Sequence, residues 1–171
     1  MKEKNVLRLT QAAMIAALYV VLTYLANAFG MANGAIQVRF SEALTVLPVF
    51  TPVAIPGLFV GCLISNILTG CMPLDVVFGS LATLLGAWGT YFLRKRRFIY
   101  TLPPVIANAV IVPLVLRYVY GLQDAMYWLV LTVGAGEVIS VCILGTLLKQ
   151  LLWKHRYVIF REQEKTSKEE Q

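Results

Sequence analysis

Charge is scarce in this chain. Only 14% of its 171 residues are charged, while 58% are hydrophobic. A soluble domain carries roughly 25% charged residues as its polar coat. An ordinary soluble enzyme is therefore excluded, as are disordered and fibrous proteins. Mean hydropathy is +0.72, which leaves an integral membrane protein, with lipid in place of water around the apolar surface. Histidine is limited to His155, which lies in a basic flank. No paired His or Cys has the spacing of a zinc site. The three cysteines, Cys62, Cys71 and Cys142, are odd in number and lie in or beside apolar runs. They read as packing residues, not a disulfide framework. No G-x-x-x-x-G-K-[ST] loop is present to cradle ATP. No Ser or Cys has a His partner for nucleophilic catalysis. Nothing reads as a cleaved signal peptide, because the first apolar run exceeds an h-region of about 7–15 residues.

What is present is a series of apolar segments. A spanning helix needs about 20 such residues. The pattern predicts six segments: Leu9 to Phe29, Ser41 to Phe50, Val53 to Leu68, Asp75 to Leu93, Tyr100 to Tyr118 and Ala125 to Leu152. Thr51-Pro52 separates the second from the third, and Pro113 is expected to kink the fifth. Residues 1–160 read as one all-α membrane domain. The tail REQEKTSKEEQ, 161–171, reads as disordered. Basic residues collect at cytoplasmic membrane ends. With six crossings and an inner N-terminus, ten of the 15 Lys and Arg fall inside: Lys2, Lys4, Arg8, Arg94, Lys95, Arg96, Arg97, Lys149, Lys154 and Arg156. Arg39 and Arg117 alone fall outside, and the other three are in the tail. Both termini are thus expected in the cytoplasm. The net charge of +6 follows without nucleic acid as a partner.

The informative residues are polar ones in apolar surroundings. Glu137 sits within the sixth run. A central charge costs about 2.5–3.5 kcal/mol on insertion scales, so it should face the bundle interior. It reads either as a ligand contact or proton carrier, or as a structural carboxylate. Gly134, Ala135 and Gly136 leave space beside it for a ligand or a helix. Arg39 and Glu42 flank Ser41, a candidate N-cap of the second helix, and are also open to reading as a surface pair. Asp75 reads as a ligand contact or as an N-cap. Asn66 and Asn108 are candidates for interhelical bonding or for ligand contact. Jointly, these residues make a polar pocket in an apolar wall. On the first helix, Ala12, Ala13, Ala16 and Ala17 form two i, i+4 pairs. They offer a small-residue strip for close helix approach, internal or external.

Four motifs carry a resemblance. Gln37-Val38-Arg39-Phe40-Ser41-Glu42 resembles the Q-x-R-[IF]-S-E signature of the QueT family. Gly61-Cys62-Leu63-Ile64-Ser65-Asn66 resembles its G-C-x-I-x-N, and Asp75 to Thr83 its D-x-x-x-G-x-x-x-T. Gly136-Glu137 resembles the G-E of its sixth helix. Members are substrate-binding S components of energy-coupling factor (ECF) importers in prokaryotic plasma membranes. The resemblance implies a six-helix S-component bundle, a membrane T subunit, two cytosolic ATPases and a 7-deazaguanine ligand: the aminomethyl or cyano precursor of queuosine, or queuine. No cofactor or metal is implied.

On that basis Glu137 is the candidate acceptor for the ring N–H and 2-amino group, with Asn66 serving further polar atoms. Glu42 or Asp75 would attract an aminomethyl cation. Arg39 would orient Glu42 or donate to the base oxygen, and Phe78 or Tyr127 would stack on the ring. Gln37 and Asn108 complete the candidate set, and the alanine pairs would dock the T subunit. Transport would follow closure of the Arg39 loop and an ATP-driven tilt of the bundle. Two other readings stand beside this one: an S component for another ligand such as a vitamin, and a stand-alone proton-coupled carrier relaying through Glu137.

Overall fold

The computed structural model describes residues 2–30, 38–96 and 98–160. Gln37 and the tail 161–171 lie outside the described residues. The described residues are helical apart from short connections, with no strand among them. Six α-helices run as α1 (Lys2–Ala28), α2 (Ala54–Leu68), α3 (Pro73–Phe92), α4 (Leu102–Tyr118), α5 (Met126–Glu137) and α6 (Thr146–Ile159). A 3-10 helix, Phe40–Val49, joins α1 to α2, and a π-helix, Val138–Gly145, joins α5 to α6 without a break. Three stretches are long and apolar enough to cross a membrane: Asn5–Ala28, Ile99–Tyr118 and Met126–Arg156. Phe40–Val49 and Ala54–Leu68 are shorter apolar helices.

The expected segments agree in place and differ at their ends. The second is a 3-10 helix with Arg39, not Ser41, at its cap position and no side-chain cap bond. Ten residues wound as 3-10 reach about 20 Å, against about 15 Å as α-helix. Pro48, lacking an N–H, sits near its end. The fourth segment starts at Pro73, behind Met72, so Asp75 lies in the first turn and is not the cap. Proline's fixed φ suits the first helical turn, which explains the earlier start. The last segment continues to Ile159, beyond the expected Leu152.

Small residues set the helix spacing. A Cβ added at Gly57 would lie 2.8 Å from the Ala12 carbonyl oxygen. One at Gly61 would lie 2.7 Å from Tyr19 Cβ and 3.0 Å from Ala16 Cα. The α1 and α2 backbones therefore touch along a strip of Ala12 and Ala16 against Gly57 and Gly61. Gly86 and Gly89 similarly admit Pro104 and Pro103 between α3 and α4. The 3-10 helix fills the centre, with Ser41 to Pro48 all buried. Leu44 and Leu47 join Ile15, Tyr19, Phe50 and Leu58 in one apolar core. The core thus holds the 3-10 helix, and with it Glu42, against α1 and α3.

Candidate functional site

Two polar layers meet inside the bundle. The deeper one is built on Glu42, which is 1% exposed. Tyr19 of α1 donates its hydroxyl to Glu42 Oε1. Thr83 of α3 donates to the same oxygen at 3.4 Å. Asn108 of α4 donates its amide to Oε2 at 3.3 Å. A carboxylate out of water is costly unless its oxygens are bonded, and here both are. Thr83 also lies 3.3 Å from Cys62 Sγ, and Asn66 Nδ2 lies 3.5 Å from that sulfur.

Glu137 is different. It is 4% exposed, and its Oε2 has no hydrogen-bond partner. Glu42, Arg39 and Asn108 are the groups that act on it electrostatically or by hydrogen bonding. Ser41 Oγ is likewise buried without a partner. Ser140, in the first turn of the π-helix, donates to the Gly136 carbonyl at 2.8 Å and accepts from the Arg39 backbone N–H at 3.2 Å. This fixes the start of the 3-10 helix against the Glu137 segment.

The second layer is an open cavity of about 370 Å³. Tyr19, Arg39, Ser41, Asn66, Asp75 and Tyr120 are among the residues lining it. Asp75 Oδ2 accepts from the Tyr120 hydroxyl at 2.8 Å, and that hydroxyl accepts from the Met72 N–H at 3.2 Å. Burial pushes the Tyr120 phenol up to about 12, and the bond to Asp75 adds to this. Gly79 leaves room beneath the cavity wall. A Cβ there would lie 3.2 Å from Asn66 Nδ2 and 3.4 Å from Asp75 Oδ1. Tyr19 links the layers, lining the cavity while bonding Glu42.

The residue set read from the sequence therefore divides. Arg39, Asn66 and Asp75 line the cavity, while Glu42 and Asn108 lie together beneath it with Glu137 beside them. Phe78 and Tyr127 do not join them, being 45% and 71% exposed. Asp75, Gly79 and Thr83 occupy the buried face of α3. Helical phase then turns Val77, Phe78 and Leu81 outward, so neither ring stacks inside this bundle. Tyr19 and Tyr120 were not among the expected contacts. Tyr19 had a signal: it follows Ala12 and Ala16 at i, i+4, i+7 and so shares their inward face. Tyr120 follows α4 in a loop and had none.

The QueT transporter family profile matches residues 9–154. The chain belongs to the QueT transporter family. This QueT member is also 36% identical over 85 residues to the Queuosine precursor transporter QueT of Lactococcus lactis subsp. cremoris, the match spanning 50% of each chain. No solved structure matches it. Membership of a transporter family, together with three stretches long and apolar enough to cross a membrane among the described residues, supports a membrane protein. The alanine pairs of α1 part company in this QueT protein. Ala12 and Ala16 are taken up by α2, so they are not free for a partner. Ala13 and Ala17 are exposed.

Proposed function

We propose that the chain is the substrate-binding S component of an ECF-type importer. Its ligand is a 7-deazaguanine precursor of queuosine, taken from outside the cell. The reading rests on the family and on one observation above all: a buried carboxylate, Glu137, that leaves one oxygen without a hydrogen-bond partner. The ring N–H and 2-amino group of a deazaguanine form a parallel donor pair that such a carboxylate accepts. Asn66 and Arg39 offer donors for the base oxygen. Asp75, on the cavity wall, offers its second oxygen to an aminomethyl cation. Glu42, already holding three donors, serves as the support behind them. In this reading six membrane-embedded segments cross a prokaryotic plasma membrane, with both termini cytoplasmic. A T subunit grips Ala13 and Ala17 and tilts the bundle as two cytosolic ATPases work. The chain performs no chemistry of its own.

Calorimetric titration with 7-aminomethyl-7-deazaguanine tests this, with guanine and riboflavin as controls. Binding of the deazaguanine alone, weakened at least tenfold by Glu137→Gln (about 1.4 kcal/mol or more), is the expected result. Riboflavin binding instead points to an S component for a vitamin. No binding by folded protein refutes the substrate assignment.

A further inference from the structure

A second cavity, of about 380 Å³, lies at the other end of the bundle from Asp75. It is lined by Phe98, Tyr100, Thr146, Lys149, Gln150 and Trp153. The Lys149 ammonium sits 3.8 Å from the centre of the Tyr100 ring and 5.9 Å from that of Trp153. Among the described residues no carboxylate pairs with it. The neighbouring cations also rest on rings: Arg94 on Tyr91 at 3.9 Å and Arg156 on Trp153 at 4.3 Å. Lys95, Arg96 and Lys154 stand exposed at this same end. Of the acidic side chains described, Glu42 and Glu137 are central, while Asp75 and Asp124 belong to the opposite end. The cavity is thus a cationic hollow with no carboxylate among its lining residues.

Its rim has a further peculiarity. Phe98 has φ +64°, a left-handed conformation that is strained for a bulky residue. Its ring is 64% exposed at the cavity edge. Tyr100 forms a buried floor, held by the Thr90 hydroxyl bonding the Tyr100 carbonyl at 3.0 Å. Exposed Ile99 and Leu102 continue from it onto the apolar flank of α4. The cavity therefore suits an occupant that is anionic at one end and apolar along the other, at the level where apolar helices meet the polar boundary.

We propose that this cavity binds the headgroup of an anionic phospholipid. Lys149 meets the phosphate, Phe98 and Trp153 flank the glycerol region, and the acyl chains run along α4. Basic pockets between membrane helices have the charge for such headgroups. The test is native mass spectrometry of the purified chain with added phosphatidylglycerol or phosphatidylcholine of the same acyl length. Phosphatidylglycerol adducts should predominate. Lys149→Met should reduce that preference about five-fold, the factor for one lysine–headgroup attraction at a membrane surface. Lys149→Arg should keep it, as should Lys154→Ala, which lies outside the cavity. Gln150→Glu, at an exposed lining position, should reduce it without disturbing the core, which decides the matter if Lys149→Met folds poorly. Equal binding of both lipids overturns the proposal, as does an unchanged preference in Lys149→Met or Gln150→Glu. Displacement of the lipid by millimolar inorganic phosphate or glycerol 3-phosphate also overturns it, since the site would then be one for free phosphate.

Discussion

At the residue scale the two buried glutamates predict opposite behaviour. Glu42 holds three donors from three helices. Tyr19→Phe removes one and leaves a carboxylate oxygen short of a partner. The cost should be about 1–3 kcal/mol, read as a lower unfolding temperature in detergent. Glu137 leaves Oε2 unbonded in a buried site, an arrangement that stability alone does not favour. Glu137→Gln should therefore keep or raise the unfolding temperature while weakening ligand binding. A clear fall in that temperature would make Glu137 structural and remove it from the site. Both glutamates stand out in the sequence as charges in apolar runs. Nothing in the sequence said which one has its oxygens satisfied, because the donors come from residues 23, 41 and 66 positions away.

At the element scale, backbone contact separates glycines that look alike in sequence. Gly61→Ala would drive a methyl into Ala16 and Tyr19. Overpacking of this kind costs about 1–3 kcal/mol. Gly134→Ala meets only Ala109 Cβ, at 3.9 Å, and should be neutral or slightly stabilising by improved helix propensity. Thermal unfolding of the two variants side by side checks both. The same reasoning parts the alanines of α1. Ala12→Leu with Ala16→Leu should disrupt folding. Ala13→Leu with Ala17→Leu should leave folding and ligand binding intact and reduce uptake. Full uptake by the second pair would mean that its surface faces only lipid. Helix type was the least legible feature. The apolar run Ser41 to Phe50 marked a buried segment, yet nothing in its local pattern announced the 3-10 winding. The π-helix after Glu137 likewise packs close to its neighbour. A Cβ at Gly145 would lie 3.3 Å from the Ala43 carbonyl oxygen of the 3-10 helix.

At the scale of the whole molecule, the chain is a polar centre wrapped in apolar helices. Its exposed large side chains, such as Leu9, Met14, Val77, Leu85, Ile106 and Leu131, suit lipid contact. The proposed importer assembly makes a clear demand on physiology. Uptake of the deazaguanine should vanish in a host without the T subunit and ATPases, although the chain still binds its ligand. Sustained concentrative uptake in such a host, lost when the proton gradient is dissipated, would favour the stand-alone carrier. Reporter fusions at the two termini should both read cytoplasmic, as the distribution of Lys and Arg requires.

Composition and periodicity by themselves determined the membrane class, the positions of the helical segments and the short roll of polar residues worth explaining. These are local properties: burial of an apolar run is set by its own residues and by the solvent around it. Family membership was also legible, because Arg39, Glu42, Asn66, Asp75 and Glu137 stand in ordered motifs along the chain. The tertiary structure alone decided that Asn66 and Asp75 share one cavity wall and that Glu42 is saturated while Glu137 is not. It also turned Phe78 and Tyr127 outward and gave one alanine pair to α2. Those outcomes depend on the rotation of each helix about its axis and on which backbones touch. Both are set by packing between segments distant in sequence, which no local pattern encodes.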